Sequence, residues 1–256
     1  MKRSIICYAD QKKPYTIEVA SAFARGCGGR VVIGFDKEEE SDVTVVVGMG
    51  EGQKKIIARA KDWYEIDHGY IGRGTYYRVS HKSLWCDGRN EPDFKRLDVH
   101  RLSFRQDRAL GRALLLALQS EGFYQRWAGT SRDGFIGRVR RETRSRRTLI
   151  VREKPLGKAR KYRVPLRQHL NMSWAVIVHS SAVALDALMD GLPIVVMEPT
   201  YCAARLATPL KMLEHPRLPS VDERRDLFAR IAAAQWTIEE MKSGEAWERT
   251  KVNGHG

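Results

Sequence analysis

The chain is poor in the features that mark secreted, disulfide-held or membrane proteins. Of 256 residues only four are cysteine (Cys7, Cys27, Cys86 and Cys202), and no two stand at C-x-x-C spacing. No histidine cluster completes a zinc set beside them. Free thiols in a reducing compartment are therefore expected. Long apolar runs are missing too. No stretch approaches the ~20 residues that cross a bilayer. The basic start, MKRSIICYADQKK, has too short an apolar run for a signal peptide. A cytoplasmic protein with no membrane partner is expected. Internal repeats and low-complexity tracts are absent, as are G-x-G-x-x-G and Walker A signatures. Acidic residues are outnumbered, 31 Asp+Glu against 45 Lys+Arg, for a net charge of +14. Such an excess favours polyanionic partners: nucleic acid, nucleotide phosphates or an anionic surface.

What is present is an alternation of short apolar runs and helical patterns, the signature of parallel sheets covered by helices. In the first third, strands are expected at Ser4–Tyr8, Arg30–Phe35, Asp42–Val47 and Trp63–Ile66, with helices at Pro14–Ala24 and Gln53–Asp62. An edge strand is expected at Thr75–Ser80 and an interdomain region near Glu91–Gln106. A second alternation follows: strands Ala113–Leu118 and Thr148–Arg152, with helical residues between them up to about Arg144. The tail carries an amphipathic helix, Val221–Ala234. A shorter one follows Thr237, where Thr237-Ile238-Glu239-Glu240 resembles a capping box.

The most informative stretch is Trp174–Pro199, WAVIVHSSAVALDALMDGLPIVVMEP. It reads as strand, polar turn, small-residue helix, tight turn, strand. The turn His179-Ser180-Ser181 leads into a helix start whose N–H groups lack helical partners and carry partial positive charge. Such an end can hold a phosphate, and Asp186, five residues past Ser181, can meet a ribose hydroxyl. The alternative is a plain serine cap with Asp186 in solvent.

Three further segments bear on chemistry. Gly48-Met49-Gly50-Glu51-Gly52 turns a strand into a helix, as a phosphate cradle or simply a tight turn. Glu65-Ile66-Asp67-His68-Gly69 closes a parallel strand, at the edge where ligands of open α/β sheets bind. Asp67 is the favoured general base there, with His68 and Glu65 as the other candidates; the alternative is that these residues only shape a turn. From Arg138 to Arg167 thirteen cations face only Glu142 and Glu153. Arg140, Arg144 and Arg147 would share one helix face, and Lys158, Arg160 and Lys161 extend the run. This could track a nucleic-acid backbone or be a solvated surface. Arg152 and Lys154 follow a strand and so sit at a ligand edge. Tyr70, Tyr76, Tyr77 and Trp85 interleave with Arg73, Arg78, Lys82 and Arg89, a pattern that suits base stacking, sugar stacking or core packing.

On these residues the C-terminal half resembles the nucleotide-sugar domain of GT-B glycosyltransferases, in particular bacterial capsule and polysialic-acid-type transferases and short phage-encoded relatives. Arg152-Glu153-Lys154-Pro155 stands where that family carries a basic-Pro or His-Pro motif. Ser180-Ser181 matches its tandem serine motif, and Asp186-Ala187 with Gly191-Leu192-Pro193 its acidic helix and Gly-x-Pro turn. Asp67-His68-Gly69 is similar to its acidic base motif, with His68 in place of the second acid.

The resemblance implies an α/β fold of two Rossmann-like domains facing a central cleft. These would be an acceptor-side domain over residues 1–105 and a nucleotide-sugar-binding domain over 106–256. It implies that Arg152, Lys154, His179, Ser180, Ser181, Asp186 and Ser120 bind the donor, with no metal and no resident cofactor. The expected activity is sugar transfer from a nucleotide-sugar to a hydroxyl. With the charge in view, the expected acceptor is a hydroxymethylated base in phage DNA. The alternatives are a surface-glycan acceptor and a non-catalytic nucleic-acid-binding protein on the same scaffold.

Overall fold

The computed structural model describes residues 3–36, 39–86, 90–106, 111–143, 145–154 and 164–253. The chain forms two compact units, Met1–His100 with Ala229–Gly256, and Arg101–Phe228. The first unit begins β1 (Ile5–Ala9), α1 (Pro14–Cys27), β2 (Arg30–Ile33), β3 (Val43–Val47), α2 (Glu51–Ile57), β4 (Trp63–His68), β5 (Tyr77–His81) and α3 (Phe94–Val99). β1 is a continuous apolar run, and β3 is one but for Thr44, because both faces of a parallel sheet are covered; every residue in them is buried. Pro14 starts α1, where its missing N–H costs nothing, and Gly28 ends it in the left-handed region at φ 70°. The helix runs through Gly26, where a side chain would collide with the Met241 carbonyl. α3 lies in the expected interdomain stretch and is capped by Asp93, whose carboxylate accepts from Arg96 N at 3.0 Å.

The second unit holds β6 (Ala113–Ala117), α4 (Glu121–Phe123), α5 (Arg132–Glu142), β7 (Leu149–Arg152), α6 (Leu166–Met172), β8 (Ser173–Val178), α7 (Val183–Met189), β9 (Ile194–Val196) and α8 (Val221–Ala233), whose last residues pass into the first unit. Its four strands are all parallel, in the order β7-β6-β8-β9. The helix expected up to Arg144 is broken. A π turn, Tyr124–Ala128, ends at Gly129 (φ 62°), and α5 restarts under Ser131, whose hydroxyl accepts from Gly134 N at 2.9 Å. Thr143 is already extended. Arg140 and Arg147 therefore do not share a helix face, and Arg144 lies outside the described residues.

The chain then returns to the first unit with β10 (Gln235–Trp236), α9 (Ile238–Ser243) and α10 (Glu245–Asn253). The six-stranded sheet runs β10-β5-β4-β3-β1-β2, with β1 to β4 parallel and β5 antiparallel. β5 is not the expected edge strand, because β10 pairs outside it. The tail also departs from the expected division at residue 105. Trp236 is buried and Met241 and Ala246 enter the core with α1. Arg96 donates to the Ala232 and Gln235 carbonyls and to Glu240, and lies over the Trp236 ring at 4.5 Å. The Thr237–Glu240 capping box forms as the sequence suggests. α1, α9 and α10 cover one sheet face; Ile56 of α2 packs with Ile6, Tyr8 and Val46 on the other. Among the described residues no helix is long and apolar enough to cross a membrane.

Candidate functional site

In the second unit β6 is followed by a crossover to β7 on one side, whereas β8 pairs on its other side. The carboxyl ends of β6 and β8 therefore flank the point where strand order reverses, the usual ligand crevice of an open α/β sheet. Two polar loops meet there, Gln119-Ser120 and His179-Ser180-Ser181, and Gln119 Nε2 donates to the Ser180 carbonyl at 3.4 Å. Gln119 was not singled out in the sequence; only the strand order reveals it.

His179 is ringed by Phe123, Tyr124 and Phe135, all near edge-on at 5.5–6.0 Å. Burial pulls its pKa below the usual value, Glu198 opposing and Arg138 adding. Its Nδ1 lies 3.1 Å from Ser180 Oγ, and both residues are buried. Ser181 is half-buried, and its Oγ accepts from Val183 N at 3.3 Å. Among the described residues the Asp186 carboxylate has no hydrogen-bond or ion-pair partner, and burial alone raises its pKa. Ser120 precedes α4, and its carbonyl accepts from Phe123 N at 3.0 Å.

Arg152 departs from expectation. It is 7% exposed and donates to the Val164 carbonyl at 2.8 Å and to His169 Nδ1 at 3.1 Å. Arginine has donors only, so His169 must accept through Nδ1 and carry its proton on Nε2. The guanidinium thus ties β7 to the start of α6 rather than reaching freely for a ligand. Lys154 is exposed beyond the end of β7.

In the first unit, strand order reverses at β1, and β4 ends beside β3. Gly48 takes φ 88°, and its N–H donates to the Ile66 carbonyl at 2.7 Å. The side chain of Gln53 fills the turn and donates to the Val47 carbonyl at 2.8 Å. The GMGEG segment is therefore a turn packed by the chain's own amide, as its tight-turn reading holds. At the end of β4, His68 stacks between Tyr15 (4.8 Å) and Tyr77 (5.6 Å), and its buried Nδ1 has no hydrogen-bond partner among the described residues. Burial, then Arg73, lowers its pKa, with Asp67 opposing. Burial, then Asp67, pushes the Tyr15 phenol up to about 12.

Asp67 Oδ1 accepts from His68 N at 2.8 Å, and Oδ2 accepts from Arg78 at 3.3 Å. Glu65 is fully buried and pairs with Arg78 through both carboxylate oxygens. Burial holds the Glu65 carboxyl up at about 8 against the pull of Arg78, with Asp67 adding to the rise. Burial works against the Arg78 charge as well, but Glu65, Tyr70 and Asp67 outweigh it and keep the guanidinium protonated.

The expected nucleic-acid face does not assemble from the described residues. Arg78, only 2% exposed, is sealed in that ion pair, and Tyr77 and Trp85 are buried. Lys82 sits 3.8 Å from Asp62. Arg147 stacks over Trp174 at 3.8 Å and pairs with Glu214 at 3.4 Å. Arg73 and Arg140 are exposed. Lys158, Arg160 and Lys161, with Arg89 and Pro155, lie outside the described residues. Among the described residues no three His, Cys, Asp or Glu side chains come together as a metal site.

No family model and no curated protein matches the sequence. Solved structures do match. The Thermosulfurimonas dismutans KpsC β-Kdo 2,7 transferase aligns with TM-score 0.54 at 11% identity, over 97% of this chain and 99% of that one. The β-Kdo 2,4 transferase of the same organism's KpsC aligns with TM-score 0.51 at 12% identity, over 90% of each chain. At such identities the likeness establishes the fold: an α/β chain of two Rossmann-like units, of the kind found in these two Kdo transferases.

Proposed function

We propose that the chain is a glycosyltransferase that moves a sugar from a nucleotide-activated donor to a hydroxyl of a surface glycan. The observation that carries this is the crevice between the ends of β6 and β8. The loop there holds a buried Ser180 and a half-buried Ser181, and α7, which follows it in the chain, carries Asp186, whose carboxylate has no partner among the described residues. Nucleotides bind at such points, and the full-length likeness to two β-Kdo transferases supports the same reading. The N–H groups of Ser181 and Ala182 have no partner among the described residues, and with the serine hydroxyls they meet the donor phosphate. Asp186 takes a ribose hydroxyl. Lys154 replaces Arg152 as the proposed phosphate cation. No resident metal or cofactor is needed in this scheme.

The chemistry assigned to the first unit is proton removal. Asp67 takes the proton of the acceptor hydroxyl, and the oxygen attacks the anomeric carbon. The bond to the leaving phosphate breaks, and the nucleotide departs with the electron pair. His68, held neutral beside it, is the second candidate base.

A glycan acceptor is preferred to DNA because, of the described side chains expected to hold DNA, Arg78, Tyr77 and Trp85 are buried and Lys82 and Arg147 are paired with acids. The acidic sugar named in the two neighbours, Kdo, is the first donor sugar to try. The test is nucleotide release from UDP-, CMP- and GDP-sugars, CMP-Kdo included. Each is mixed with a Kdo-bearing oligosaccharide, with DNA bearing hydroxymethylated bases, or with neither. Release that requires the oligosaccharide supports the proposal. Release only with DNA overturns the acceptor, and DNA binding with no release from any donor overturns the enzyme.

A further inference from the structure

We propose that Glu65 and Arg78 are positioning residues for Asp67: the Glu65 carboxyl group anchors a buried guanidinium whose second nitrogen fixes Asp67 as the proton acceptor. The role given to Asp67 rests on the transferase reading above; the clamp itself rests on geometry. Alternation along β4 puts Glu65 and Asp67 on one sheet face, opposite Tyr64 and Ile66 in the main core. Antiparallel register sets Arg78 directly across from Asp67 and Ser80 across from Glu65. Arg78 can therefore span both acids. Its Nη1 and Nη2 meet the two Glu65 oxygens, and Nη2 also reaches Asp67 Oδ2 at 3.3 Å. Met49 Sδ accepts from the same nitrogen at 3.6 Å, and the Tyr70 ring lies 5.3 Å away.

A planar guanidinium fork serves two carboxylates at once; a lysine ammonium is a point charge that does not. Asp67 keeps lone pairs open, since its side chain is 27% exposed whereas Glu65 is wholly buried. One acid is thus an anchor and the other faces outward. The charged and titratable groups around the pair are Tyr15 on α1, His68 on β4, Tyr70 and Arg73 in the following loop, and Arg78 on β5. Arg78 is the one in direct contact with both acids.

The experiment follows the Asp67 carboxyl carbon by NMR in protein labelled at aspartate, with Asp67→Asn assigning the signal, and reads kcat and KM beside it. The double variant Glu65→Gln with Arg78→Gln keeps a hydrogen-bonded, neutral buried pair. Arg78→Lys keeps the charge and the Glu65 contact but loses the fork. The wild-type Asp67 line is single and sharp; it broadens or splits in the double variant, and less so in Arg78→Lys. In the double variant kcat falls about tenfold because the proton acceptor is no longer held in place, while KM for the donor stays within about twofold. A folded double variant with the wild-type line and the wild-type kcat overturns the proposal. Should the double variant fail to fold, Arg78→Lys decides it by the same criterion. Absence of nucleotide release from the wild type removes the transferase reading, and the Asp67 line still shows whether Glu65 and Arg78 hold Asp67.

Discussion

Replacing Ser180 and Ser181 one at a time separates what the crevice does for the fold from what it does for the donor. Ser180 is 2% exposed, and its hydroxyl sits 3.1 Å from His179 Nδ1 inside a ring of three aromatics. Ser180→Ala removes that bond and strands a buried imidazole nitrogen, which costs about 1–3 kcal/mol. Ser181 is half-buried, and its bond from Val183 N is long at 3.3 Å. Ser181→Ala therefore costs about 0.5 kcal/mol of stability, at the bottom of the range for a neutral bond. Binding reverses the order of interest. A hydroxyl donating to a charged phosphate contributes about 1.5–3 kcal/mol, so Ser181→Ala weakens donor affinity by about 10- to 100-fold. Urea titration gives the first quantity, and calorimetry with the nucleotide that supports turnover gives the second. Ser181→Ala with unchanged affinity removes this loop from the donor site. Ser180→Ala with unchanged stability refutes the buried His179–Ser180 pairing.

Three further outcomes follow from the same geometry. Asp186→Asn relieves a carboxylate that burial disfavours, so it leaves stability unchanged or raises it by up to about 1 kcal/mol. The same change lowers donor affinity about tenfold by calorimetry; a loss of both together contradicts an unpartnered carboxylate. For pH, the His179 pKa is lowered in the fold. As pH falls below about 6.5 the unfolded chain takes up that proton before the folded one, and stability drops. Glu65, held up near 8, gives the opposite slope in the same window, so the comparison must be with His179→Asn. The wild type loses more stability than that variant between pH 7 and 5, and equal slopes in urea titrations argue against a neutral buried His179. Finally, Arg96→Met breaks the links to Ala232, Gln235 and Glu240 and the stacking on Trp236. It destabilises the tail by about 3 kcal/mol and speeds proteolysis after Ala234. An unchanged digestion pattern means the tail is held some other way.

Much of the fold is legible because parallel strands buried on both faces read as largely apolar runs. Ile5–Ala9, Val43–Val47, Ala113–Ala117 and Ser173–Val178 fall within two residues of the runs that announce them. The tail was misassigned for a physical reason. β10 is two residues long, so it has no periodicity to read, and only its pairing with β5 ties it to the first sheet. The long helix expected before Arg144 fails because Gly129 and the Ser131 cap are local signals that a basic, helix-favouring composition overwhelms. In the site, the shared parity of Glu65 and Asp67 was visible in the sequence. In the sequence Arg78 is one of several cations among aromatics, and its role is hidden because its partner lies thirteen residues away on another strand. The crossing from Gln119 to Ser180 depends on strand order, which no local pattern carries.

The most direct test of the central claim is a crystal structure with the nucleotide product bound. The account predicts its phosphate against the backbone N–H groups of Ser181 and Ala182, with a ribose hydroxyl on Asp186. A nucleotide seated anywhere other than between the ends of β6 and β8 contradicts it.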